Sequence, residues 1–221
     1  MIAERIHSLT SELPEGVRLV AVSKFHPAEA IEEAYAAGQR IFGESRVQEL
    51  QAKHEQLPKD IEWHFIGHLQ TNKVKYIVPY VTLIHGIDSF RLLAEVDKQA
   101  ERVGRSVGCL LQMHIAREET KFGFSFDECR EMLQAGEWRQ LQHVRLCGLM
   151  GMATNTDDMQ QVEEEFRSLA AFFREVKDGW FAVDEHFREL SMGMTHDYPQ
   201  AIAAGSTLIR VGTYIFGERN Y

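Results

Sequence analysis

Cysteine is nearly absent from this chain. Its 221 residues include three, Cys109, Cys129 and Cys147. An odd number with no C-x-x-C and no close spacing excludes a disulfide framework and a zinc pattern, and fits reduced thiols inside a cell. Basic charge is also short: 24 Lys and Arg against 33 Asp and Glu leave a net charge of −9. A nucleic-acid binder needs a basic face for its phosphate contacts, so that class is excluded; a small anion can still be held by a locally positive site. No apolar run is long enough to span a bilayer, and the opening MIAERIHSLTSEL reads as an amphipathic helix, not a leader. Neither G-x-G-x-x-G nor a P-loop is present, so a nucleotide has no cradle. Linkers rich in Pro, Ser or Gly are missing too. Together these absences predict one soluble, cytoplasmic domain over residues 1–221.

What is present is a repeated alternation. Short β-branched runs stand at 17–23, 40–43, 62–66, 82–85, 108–115, 145–150, 186–190 and 207–211. Between them lie stretches with apolar residues at three- and four-residue spacing, such as 28–37, 90–102 and 159–176. Pro27 suits a first helical turn and Gly38 a helix stop. Eight strands alternating with helices in one unbroken series predict an α/β fold, a single (β/α)8 barrel of the TIM type preceded by an extra N-terminal helix. Strand counting alone leaves an open doubly wound sheet as the alternative.

In a barrel, function gathers where strands end. Lys24 ends the first apolar run, in AVSKFHP. Desolvation leaves part of a lysine as the neutral amine, the form that attacks an aldehyde; a solvated strand cap is the bland reading. Loops after the seventh and eighth barrel strands commonly hold phosphate. Here they carry Ser191 and Gly193, and Gly212 and Thr213. Glycines let backbone approach an anion and hydroxyls add hydrogen bonds, although each loop alone is equally a plain turn. Arg210 is a permanent charge within the apolar run LIRVGT. Either a buried ion pair or a donor role toward a ring nitrogen accounts for it. His64 and His68 are four residues apart, but in a strand that separates them by about 13 Å, so no metal is expected. His85 is assigned to ring packing or a backbone bond, and Glu163-Glu164-Glu165 to a solvated helix face.

The stretches LVAVSK at 19–24, FGESRVQE at 42–49, WHFIGHLQTNK at 63–73, IHGIDS at 84–89, LSMGM at 190–194 and GSTLIRVGTYIFGER at 205–219 closely resemble the YggS/PROSC family of pyridoxal-phosphate-binding proteins. That resemblance covers nearly the whole chain in the family's order. It implies a fold like the N-terminal barrel of alanine racemase and pyridoxal 5′-phosphate held as a Schiff base on Lys24. It further implies the phosphate near Ser191, Gly193, Gly212 and Thr213, Arg210 facing the pyridine nitrogen, and Ser45 near the ring. Ser45 stands where the family has asparagine, and His114 where many members have asparagine. Members keep cellular vitamin B6 in balance without catalytic turnover, with the cofactor and the apo-enzymes that need it as partners; a monomer is expected. Two other readings use the same lysine: a pyridoxal-phosphate-dependent amino-acid racemase, and a cofactor-free Schiff-base aldolase.

Overall fold

The computed structural model describes residues 1–118 and 122–218. Eight parallel strands close into a barrel in sequence order: β1 Arg18–Val22, β2 Ile41–Glu44, β3 Glu62–Phe65, β4 Leu83–Ile87, β5 Val107–Met113, β6 Val144–Gly151, β7 Glu189–Ser191 and β8 Leu208–Val211. Closure comes from β1 pairing with β8, Arg18 to Ala21 lying beside Leu208 to Val211. The open doubly wound sheet is thereby replaced by the barrel. Helices α1 Ile2–Glu12, α2 Ala28–Ala36, α3 Val47–Gln56, α4 Phe90–Arg102, α5 Phe126–Ala135, α6 Met159–Trp180, α7 Tyr198–Ala204 and α8 Thr213–Phe216 surround it. The β3–β4 crossover is only a 3-10 helix, Thr71–Tyr76. Helix α1 is the extra N-terminal element; its Arg5 Nη1 donates to the Ile215 carbonyl at 3.2 Å. Arg219, the last residue of the 205–219 stretch, lies outside the described residues.

Two apolar layers hold this together. The larger, between barrel and helices, includes Phe42, Trp63, Phe65, Phe166 and Phe187, all buried. A small one, Val20, Leu83, Leu110, Met150 and Leu208, fills the inside of the barrel. Side chains alternate across a strand, so positions two residues further along each strand also face inward. On β4 and β8 those positions are His85 and Arg210, both buried, and on β5 Gln112, whereas on β1 the position is Val22. Beyond the small apolar cluster the barrel interior is therefore mixed, with His85, Gln112 and Arg210 among apolar neighbours such as Val22.

Three local expectations are corrected. Strand β7 starts at Glu189, not 186, because His186 N donates to Asp184 Oδ1 at 2.8 Å in a turn and Phe187 stacks on Phe181 at 4.2 Å. Helix α6 runs on to Trp180, its last turn tied down by Lys177 Nζ donating to the Phe187 carbonyl at 2.6 Å. Glu165 is not solvated: it is buried and accepts from the Thr154 backbone and hydroxyl, both at 2.7 Å. It thus anchors the loop after β6.

Gly148 has φ +150, and a Cβ there would sit 1.8 Å from the Glu189 carbonyl oxygen. It also marks the register shift between β5 and β6. Because the obstacle is backbone, Gly148→Ala is expected to destabilise the protein by about 3 kcal/mol or more, measured by urea unfolding against a surface control such as Gly179→Ala, which meets nothing within 4 Å.

Candidate functional site

A cavity of about 220 Å³ opens at the C-terminal mouth of the barrel. Lys24 and His26 after β1, Thr195 and His196 after β7, and Arg210, Gly212 and Thr213 at the end of β8 line it. The mouth is narrow because both last loops run close to their neighbours. A Cβ on Gly212 would lie 3.0 Å from the Val22 carbonyl, and one on Gly193, at φ +96, 2.6 Å from the Ala201 Cβ. The two loops are joined, the Arg210 N–H donating to the Gly193 carbonyl at 2.9 Å.

Of the residues singled out from sequence, Lys24, Arg210, Gly212 and Thr213 meet at this cavity. Gly193 shapes the loop behind it. Ser191 is not in its wall: the side chain is fully buried and its oxygen accepts from Arg210 Nη1 at 2.5 Å. Ser45 lines an adjoining depression with Arg46, His68 and Lys73. Thr195, His26 and His196 were missed. Thr195 could have been found, since a hydroxyl two residues past Gly193 in SMGMT is the same loop chemistry that selected Ser191.

Arg210 shapes the electrostatics. Its guanidinium donates to Ser191 Oγ and, from Nη2, to the Gly151 carbonyl at 3.2 Å; among the described residues it forms no ion pair within 4 Å. The ion-pair alternative is thus replaced by neutral acceptors. Burial lowers its pKa to about 10, against the raising effect of Asp197, so the group stays cationic at neutral pH. His85 packs its ring against that of His64 at 5.1 Å as expected, and side-chain partners replace the alternative of a backbone bond. Its Nδ1 lies 2.9 Å from Ser191 Oγ and its Nε2 3.0 Å from His64 Nδ1, so its bonds go to side chains in the barrel interior. Burial holds the pKa of His85 far below the usual histidine range and that of His64 down at about 3; both rings are neutral. Among the described residues no group of three His, Cys, Asp or Glu could hold a metal.

Hydrogen-bond supply sets the tautomers. Ser191 Oγ accepts from Arg210, so its single proton goes to His85 Nδ1. His85 must then carry its proton on Nε2 and donate to His64 Nδ1, which leaves the His64 proton on its own Nε2. The reverse order would leave the serine proton without an acceptor.

The lysine loop is clamped from both sides. Ser23 Oγ donates to Glu44 Oε1 at 2.6 Å. Lys53 Nζ, from α3, donates to the Ser23 carbonyl at 2.8 Å and to Glu44 Oε1 and Glu49 Oε1 at 2.7 Å each. Glu49 Oε1 in turn accepts the Phe25 N–H at 2.6 Å. Phe25 has φ 67, the one positive φ outside glycine among the described residues, a strain on the order of 1–3 kcal/mol for such a residue. The residues flanking Lys24 are therefore fixed by a buried charge cluster.

Burial raises the Glu44 carboxyl to about 7, against the pull of Lys53. A folded-state pKa above the unfolded value makes this group's stability contribution greatest at low pH and lost as pH rises. Wild-type stability relative to Glu44→Gln is therefore expected to fall, on the order of 3 kcal/mol, between about pH 4.5 and about pH 7. Paired urea titrations across that window check it; parallel curves for the two proteins would refute it.

A family model described as alanine racemase, N-terminal domain, matches residues 1–220. A pyridoxal phosphate homeostasis protein of Aquifex aeolicus (strain VF5) is 37% identical over 224 residues, covering 100% of this chain and 96% of that protein. One from Synechocystis sp. is 38% identical, over 99% of this chain and 100% of its own length. Among solved structures, PipY of Synechococcus elongatus PCC7942 with PLP bound is 42% identical with a TM-score of 0.89, over 98% of this chain and 100% of that one. Alanine racemase of Clostridium difficile 630 is 10% identical with a TM-score of 0.74, and this chain covers 57% of it; that likeness is one of fold. The chain belongs to the family of pyridoxal phosphate homeostasis proteins, built on the alanine racemase N-terminal domain.

Proposed function

We propose that the cavity at the C-terminal mouth holds pyridoxal 5′-phosphate through Lys24, and that residues 1–221 act as one cytoplasmic, monomeric cofactor-binding domain in vitamin B6 homeostasis. The observation that carries this reading is the meeting of Lys24, Arg210, Gly212 and Thr213 in one small cavity. The family supports it, as does PipY, whose structure was solved with PLP bound.

The residues present fit this group. The cofactor would supply an electrophilic aldehyde carbon, and the Lys24 amine would be the group that holds it, with loss of water. Gly212 lies close against β1, where a Cβ would be 3.0 Å from the Val22 carbonyl oxygen, and without a side chain it presents backbone to the cavity it lines, with the Thr213 and Thr195 hydroxyls as further donors. Arg210 supplies the remaining guanidinium N–H groups. A guanidinium cannot hand over a proton at neutral pH, so it offers a pyridine nitrogen a hydrogen bond and leaves it unprotonated.

That choice supports a reading of carrying without turnover. An unprotonated ring nitrogen is a poor electron sink, and none of the described residues lining the cavity is a tyrosine. Ser191 acts through Arg210, and Ser45 contributes at the adjoining depression. Apo-enzymes that require the cofactor are the recipients in this reading.

Purified protein loaded with pyridoxal phosphate is expected to show an absorbance band distinct from that of the free cofactor and a borohydride-stable adduct, both lost in Lys24→Ala; persistence of both would refute the attachment. Incubation of loaded protein with single amino-acid enantiomers is expected to leave their chirality unchanged. Measurable racemisation would instead favour the racemase reading. Cofactor transfer to an apo-enzyme is expected to be faster or more complete from loaded protein than its spontaneous release alone allows.

A further inference from the structure

The opposite mouth of the barrel also has a cavity, of about 260 Å³. Four guanidiniums, Arg18, Arg105, Arg145 and Arg188, face two carboxylates there, Glu62 and Glu189. On a chain of net charge −9, this mouth has an excess of positive charge. The acids do not neutralise it evenly. Glu189 takes both Arg18, at 2.7 Å, and Arg188, at 3.4 Å. Arg105 spends its Nη1 on the Val78 and Val81 carbonyls, which carry no formal charge. Arg145 has no ion pair among the described residues.

A second observation points the same way. His64 is 2% exposed, yet it lines this cavity. The tautomer chain puts its proton on Nε2, and Nε2 has no hydrogen-bond partner among the described residues. A buried ring thus aims an N–H into a cavity rimmed by guanidiniums. Donors without acceptors call for a ligand that only accepts.

We propose that this N-terminal mouth binds a small oxyanion, phosphate or a carboxylate, against Arg145 and the His64 Nε2–H, and that the His64–His85–Ser191 chain couples it to Arg210. The sense of the coupling follows from the bond directions. An anion accepting from His64 Nε2–H makes His64 Nδ1 a better acceptor, which polarises the His85 and Ser191 protons in turn and strengthens Ser191 Oγ as the acceptor for Arg210. Linkage makes the effect mutual: what the cofactor does to Arg210 is felt at the anion site by the same factor. The anion site stands independently; only the coupling half rests on the reading of the Lys24 cavity.

The test uses full-length protein loaded with pyridoxal phosphate, so that the upper phosphate loops are already filled. Histidine-labelled protein is titrated with inorganic phosphate, and separately with succinate, while imidazole nitrogen resonances are followed. The His64 Nε2 signal is expected to move saturably, and Arg145→Ser, an exposed position, to weaken binding about tenfold. The anion with the lower Kd identifies the source. A signal that does not move, drifts without saturating, or responds equally in Arg145→Ser overturns the site. A saturable shift at His64 with His85 unmoved overturns the coupling. Failure of either leaves the Lys24 attachment to its absorbance test, which reads a different bond.

Discussion

One buried charge organises the centre of this molecule. Arg210 sits inside a closed barrel, 4% exposed, and is satisfied by a hydroxyl and a carbonyl instead of a carboxylate. A neutral environment keeps its charge available to whatever occupies the mouth, whereas an ion pair would have spent it. The requirement propagates downward. Ser191 can serve Arg210 only if its own proton has an acceptor, so His85 must be neutral and correctly tautomeric, and His64 after it. The polar groups of the barrel interior are thus a single connected network, running from Arg210 through Ser191 and His85 to His64, which lies in register with Leu83 of the small apolar cluster.

A second constraint acts from outside the barrel. Glu44 and Lys53 bury opposite charges between β2 and α3, and the cluster is used on the chain beside Lys24 rather than on the lysine itself. Ser23 and Phe25 are held, the latter in a left-handed conformation. The energy of a buried pair is expressed here as geometry at the neighbouring residue. Arg210 and Lys24 therefore face one cavity from two independently fixed supports.

Much of this was legible in the sequence. Parallel strands buried on both faces read as continuous apolar runs, which is why VRLVAVS and GCLLQMHI fall on β1 and β5 within a residue or two. Lys24, Gly212 and Thr213 were legible because strand ends are countable. The interior was not. Which interior groups meet Arg210 depends on shear and closure, and no local period encodes that; hence Ser191, on the neighbouring strand β7, read as a loop donor though its hydroxyl accepts from Arg210, and the reading of His85 as a packing residue, which it is against His64, left out its bond to Ser191. Ser45 shows the same limit, since one step beyond β2 decides between two depressions. Glu165 failed differently: three glutamates in a row look alike, and only the loop above α6 selects one of them.

The clamp on Ser23 and Phe25 has a kinetic meaning. A lysine on a loose loop would lose conformational freedom at each loading and regain it at each release, so loop ordering would set part of both rates. Here the flanking backbone is already fixed by Lys53 and Glu49. If the proposed attachment holds, loading and unloading would then differ mainly in the bond to Nζ and the contacts of the small molecule. Under the proposed role of Lys24, a stationary attachment point would make exchange a matter of chemistry at one nitrogen atom.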